Sequence, residues 1–361
     1  MYVYVSEALL YLCFAVLTGG LISHLLSTRL MPGVEIPHWL LPSAVLGIAF
    51  FSLFPIIRIV LYFYEDIGFW ITVQSVMTSF TEGQAYLLTL FLSFLLVAML
   101  SFYYILNHRH FLYMSALLTL GLIFTFGWAS HMNSLYGWPG FWTHSAHFLA
   151  MSIWVGTLMM TGWFAQRQGD WSIFLRWFNP VAITCVLVII GSGLVMMNYI
   201  VPEYYNSWML SYGQALLIKH LLVVPLLVYG FINGFWMKRR LRDNPRFQPA
   251  SWVRTEGLII LSIFICTGVL GQQSPPHDVT ATLNETDPSA LFLTFYKGNF
   301  NPETSLQWIA SADSIGLATL ACLLLALILW SFYKGKRAIL TFPLVLLFVV
   351  IGYFSLMFGL E

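Results

Sequence analysis

Five of the nine histidines, His131, His144, His147, His220 and His277, fall within a few helical turns of one membrane face when the apolar stretches of the chain are threaded through a bilayer. Neutral imidazole is a favoured ligand of copper, zinc and iron, and a neighbouring thioether, here Met132, tilts such a set toward Cu(I). His144 and His147 are three residues apart, so on a helix both leave the same face, a spacing suited to two ligands of one metal. His131 is expected to end the preceding helix, with a tight turn containing Gly137, Pro139 and Gly140 bringing it back toward His144. His220 is expected about two turns into a later helix from the same side, and His277 follows Pro275 and Pro276 with Asp278 beside it.

Lys219 complicates a cation path, because an ammonium next to His220 repels a metal ion. It must snorkel, pair with a carboxylate such as Glu203, or hold an anionic ligand group such as a haem propionate. On the other face, His24, His108 and His110 could receive a metal, although His108 and His110 flank Arg109 and read as a solvated basic turn. The four cysteines each lie in a different apolar run with no Cys-x-x-Cys pair, which reads as helix packing. The fourteen methionines, including the pairs Met159-Met160 and Met196-Met197, read as gap filling between helices.

These residues need a membrane scaffold to place them. The chain is 59% hydrophobic and 9% charged, with a mean hydropathy of +0.80, far from the roughly 25% charged residues of a soluble domain. At about 20 residues per crossing, ten spans are expected: 3–27, 39–62, 84–106, 111–130, 142–165, 176–200, 212–236, 253–273, 312–333 and 338–358. The fold class is therefore all-α, a polytopic transmembrane bundle in the cell membrane. Thirteen of the sixteen Lys and Arg residues fall on one side: Arg29, Arg109, Arg167, Arg176, Lys238, Arg239, Arg240, Arg242, Arg246, Arg254, Lys334, Lys336 and Arg337. The other side holds Lys297 among many carboxylates. The positive-inside rule then puts both termini and the five histidines outside. The first segment lacks a basic leader and is expected to stay as a helix. The connection 274–311 is too short for a core of its own. No phosphate-binding glycine motif is present, and nothing points to nucleic acid.

From about Trp128 to Pro275 the residues resemble the copper resistance D (CopD) family of bacterial membrane proteins. Ser130-His131-Met132 stands where the family tends to have Gly-His-Ala. His147, Ala150, Trp154, Gly156 and Leu158 look like its His-x-x-Ala-x-x-x-Trp-x-Gly-x-Leu helix. Arg176-Trp177-Phe178 with Ala182, Gly191 and Gly193 is similar to its next helix. Tyr212-Gly213-Gln214-Ala215-Leu216-Leu217-Ile218-Lys219 is the most specific piece, followed by Asn233, Arg254 and Glu256. Met132, the lack of a fused carrier domain, and His220 after Lys219 depart from the pattern. The organisation expected is N-terminal helices over 1–127 with no assigned motif, a CopD-like core over 128–275 of cytochrome-b-like layout, and an external loop with two further helices over 276–361.

The resemblance implies copper handling, in the form of copper uptake across the cytoplasmic membrane through the outer His and Met set, often with a periplasmic copper carrier as partner. An alternative follows from the similar helical layout of dihaem cytochromes: a redox protein holding haem b between His147 and His220, with Lys219 near a propionate. Trp154, Tyr212 and Glu256 are further site candidates. A transporter is favoured over an enzyme.

Overall fold

A bilayer offers the backbone no hydrogen-bond partners, so an apolar chain crossing it satisfies its own N–H and C=O groups as helix. The computed structural model describes residues 2–27, 29–166, 170–244, 247–296, 298, 300–301 and 303–360. Arg167, Arg246 and Lys297, three of the residues used to orient the chain, lie outside these. The protein is an all-α, multi-pass membrane protein packed as two compact units, Met1–Met196 and Met197–Glu361.

The first unit holds α1 (Tyr2–Leu25), α2 (Leu40–Phe51), α3 (Leu53–Ile67), α4 (Phe69–Ser79), α5 (Thr81–Leu106), α6 (Arg109–Trp128), α7 (His131–Tyr136), α8 (Trp138–Phe164) and α9 (Trp171–Ile200). The second unit holds α10 (Tyr204–Ser207), α11 (Ser211–Phe231), a π-helical turn Ile232–Trp236, α12 (Met237–Asp243), α13 (Ala250–Leu270), α14 (Val279–Glu285) and α15 (Ala290–Phe295). It ends with α16 (Ala312–Tyr333), a 3-10 turn Ala338–Thr341 and α17 (Phe342–Met357).

Among the described residues, nine helical segments are long and apolar enough to cross a membrane, against the ten spans expected. The difference is α8, at 27 residues long enough but less apolar. It carries Thr143, His144, Ser145, His147, Ser152, Thr157 and Thr161, and it packs against α1, α6 and α7. Ser152, Thr157 and Thr161 are at most 1% exposed. Thr161 Oγ1 shares its proton between the carbonyls of Thr157 and Leu158, both at 3.0 Å. Burial of these small polar residues against neighbouring helices fits a span whose polar face is turned to protein.

The α1–α8 contact sets the position of the histidine-bearing helix. Gly19 and Gly156 face each other so closely that a Cβ on either would collide with the other's backbone. Two helices in lipid gain little from burying apolar area and associate through this kind of small-residue approach. Around it pack Phe14, Leu17, Leu21, Leu122, Ile123 and Phe148.

Three boundaries differ from expectation. The segment expected over 39–62 runs on to Ile67 and, after Gly68 at φ 88°, the chain forms α4 instead of a loop. His131 begins the short α7 and does not end α6, because Ser130 caps α7 by accepting from the Asn133 N–H at 3.2 Å. The tight turn is the single residue Gly137 (φ 59°), and α8 starts at Trp138, a turn earlier than expected, with Pro139 in its first turn.

The connection 274–311 forms α14 and α15. Its Val279, Leu283, Phe292 and Leu306 share one cluster with Trp208, Leu217, Leu221 and Tyr353, so this connection borrows the core of its unit.

Candidate functional site

In the first unit the expected ligands are placed individually. His131 is exposed and Met132 is 2% exposed. Gly140 lets α8 start against the Met132 carbonyl, where a side chain would clash. His144 is half-buried among aromatic rings: it lies 8° from parallel to Phe148, with centroids 6.4 Å apart, and 5.5 Å from Phe126 on α6. His147 turns toward α9, where its Nδ1 lies 3.0 Å from Ser192 Oγ and its ring edge packs at Gly193. One helical face thus serves two neighbours. Trp154, two turns further along, is buried at 7% exposure.

In the second unit His220 sits in the third turn of α11, about 14 Å along the helix from its start. Its Nδ1 is 2.8 Å from the hydroxyl of Tyr204. A bond at one ring nitrogen fixes the orientation of the other, the arrangement that prepares a histidine for a metal. The Tyr204 hydroxyl is held by its surroundings: burial pushes it up to about 12, while Trp208 pulls weakly the other way, so the phenol is neutral at physiological pH.

The stretch Tyr212–Lys219 is largely the framework for this bond. Gln214, 3% exposed, donates to the Trp208 carbonyl at 2.6 Å and accepts from Tyr353 of α17 at 2.7 Å. Gly213 admits the Ser207 carbonyl to a distance no side chain would allow. Together they clamp α10 onto the start of α11, which carries Tyr204 to His220. Tyr212 itself is half-buried.

Lys219 is half-buried. Of the three arrangements open to Lys219, an ion pair with Glu203 is not formed; Glu203 accepts from Asn206 Nδ2 at 2.6 Å, and Asn206 in turn holds the Leu306 N–H. The groups in electrostatic range of Lys219 are Cys266 of α13 and His220. His277 is half-buried, and Asp278 caps α14 by accepting from the Ala281 N–H at 2.9 Å. That carboxylate is a helix cap, and the seven-residue helix explains its place in the sequence. Glu256 is 1% exposed and bonded to Asn233.

Among the described residues, no group of three or more His, Cys, Asp or Glu comes together as a metal site. The sequence reading also passed over His38. It packs edge-on to Tyr104 at 4.8 Å, and His24 packs edge-on to Tyr104 at 6.3 Å. The aromatic pair Tyr103-Tyr104 was the available signal. His108 and His110 are exposed, but not in a turn: His108 precedes α6 and His110 lies in its first turn.

Residues 172–270, spanning α9 to α13, match the family described as copper resistance protein D. The matched segment contains both Ser192 and His220, and its last three helical elements carry Asn233 and Glu256. The chain is also similar to the copper transport protein CutJ of Bacillus subtilis (strain 168), at 32% identity over 151 residues. That alignment covers 39% of this chain and 26% of CutJ, so the chain spans about a quarter of that relative's length. No solved structure matches.

Proposed function

We propose that the protein handles copper at the membrane and takes copper inward, with His220 as a principal ligand on the outer half of the bundle. The observation that carries this reading is the orientation of His220 by Tyr204 inside the CopD segment. His147 on Ser192 is a second oriented imidazole, and His131, Met132, His144 and His277 are accessory donors on the same proposed face. Copper here is cargo, so few ligands per site and easy release suit the task better than a closed cage. A periplasmic copper carrier is the proposed donor. Counting α8 as a tenth crossing puts both termini outside, in line with the basic residues at the ends of α12 and α16.

A haem reading finds less support. His144 and His147 lie on one helix three residues apart, a spacing that does not offer two axial ligands to one haem.

The test is Cu(I) competition titration of purified protein beside His220→Ala, with an absorption spectrum of the same sample and uptake into proteoliposomes. Loss of tight copper binding in the variant, with no Soret band in wild type, is expected. A Soret band, or unchanged copper affinity and uptake in His220→Ala, overturns the reading. Reporter fusions at Asn244 and Asn284 should read cytoplasmic and external; matching signals would remove the orientation.

A further inference from the structure

Glu256 lies in the second turn of α13, 1% exposed, within a span apolar enough to cross the membrane. Its Oε2 accepts one hydrogen bond, from Asn233 Nδ2 at 2.5 Å. No ion pair reaches it among the described residues. The other end of the Asn233 amide, Oδ1, is buried and unpartnered in a residue 6% exposed. One hydrogen bond from the Asn233 amide is thus all that this carboxylate and the buried amide oxygen beside it share.

The local backbone makes this arrangement. α11 contains Pro225 and ends in the π-helical turn Ile232–Trp236, which carries Asn233. Such widened turns occur mostly as single bulges and frequently at functional sites. Gly230, one turn before Asn233, leaves Glu256 Oε1 4.0 Å from where a Cβ would be. Tyr229, fully buried, points its hydroxyl at Thr341 of the 3-10 turn.

The titratable and charged groups around Glu256 are few. α11 carries Tyr212, Lys219, His220 and Tyr229; α17 carries Tyr353; the 3-10 turn carries none; α13 itself has Arg254 and Cys266. Of these, Tyr229 is the one in electrostatic range of the carboxyl. On α12, Lys238 and Arg239 are exposed, Arg240 donates to the Tyr333 carbonyl and Arg242 pairs with Asp243.

We propose that Glu256 and Asn233 form an intramembrane proton-binding site. The carboxylate takes a proton from hydronium, leaving water, and the new O–H donates to the Asn233 amide oxygen once the amide turns over. On release to water, the amide turns back and its N–H again donates to the carboxylate. Each protonation state then has its own hydrogen bond between the two side chains, which gives the pair two discrete positions. An unpaired carboxylate at this depth is costly, so ionisable residues in spans bear function by default. Hard oxygen donors suit a proton better than Cu(I), so this site is separate from the copper reading, and its test uses no copper.

The experiment is infrared difference spectroscopy of the whole protein in lipid nanodiscs with a copper chelator, stepped through the pH range in which it stays folded. We expect a carboxylic C=O band that titrates in wild type, is absent in folded Glu256→Gln, and is displaced in Asn233→Ala. The Asn233→Ala arm decides the matter if Glu256→Gln does not fold. A band that persists in Glu256→Gln, that ignores Asn233→Ala, or that never titrates overturns the proposal. A midpoint that moves with sodium chloride and stays put with choline chloride overturns it in favour of sodium as the ion.

Discussion

The Tyr204 hydroxyl and the His220 Nδ1 lie 2.8 Å apart, joining the connection after α9 to the third turn of α11. An outer-shell partner of this kind is worth about 10- to 100-fold in metal affinity in known sites. Tyr204→Phe should therefore weaken Cu(I) binding by roughly 10-fold, less than His220→Ala does. Competition titration checks it, and equal effects of the two variants would make Tyr204 a ligand and not a positioning residue. The sign with pH is also set. With the hydroxyl raised from its usual 10 to about 12, its contribution to stability is complete below pH 10 and falls as pH rises through 12.

Lys219 separates the copper and haem readings. Its ammonium opposes a cation at His220, so Lys219→Met should leave copper affinity intact or raise it by roughly 5-fold, about 1 kcal/mol. Copper and haem content per protein measures this. A selective loss of haem in the variant would mean the ammonium holds a propionate.

His144 and His147 share a helical face yet engage different neighbours, Phe126 and Phe148 for one and Ser192 for the other. In a double-substitution cycle to alanine, read by copper affinity, their effects should add to within about 0.5 kcal/mol. Coupling well beyond that would place both on one metal.

The Gly19–Gly156 approach has no slack. Gly156→Val should destabilise the first unit by about 2 kcal/mol or more, the cost of forcing methyl groups into a filled contact. Ser134→Ala, at an exposed position, serves as the control. Unfolding in mild detergent reads both, and parity between them would show that α1 and α8 can separate freely.

Helix class and the place of most spans were legible because apolar length is a one-dimensional property: the segments around 84–106, 312–333 and 338–358 lie within a few residues of α5, α16 and the Ala338–Met357 span. The start of α7 was not, since Ser130 decides it through a capping bond to Asn133, a choice between two helical neighbours that hydropathy does not register. Among site residues, Glu256 and the Tyr212–Lys219 stretch could be singled out because charge and motif mark them. What they touch depended on contacts far apart in the chain. Gln214 meets Tyr353, and Glu203 is taken by Asn206 before it could serve Lys219. The facing of His144 and His147 was misleading in the same way, because three-residue spacing sets where two side chains leave a helix and neighbouring helices decide where they end.

The bare backbone stripe at Gly19 also bears on how the protein is made. α1 is synthesised before α8, and its matching stripe at Gly156 follows only after the intervening helices have been made. Until then α1 presents lipid with a groove that acyl chains fill poorly. A newly made chain therefore carries a vacant docking seam from α1 until α8 is made, and the arrival of α8 is the step that converts a row of inserted helices into an assembled unit.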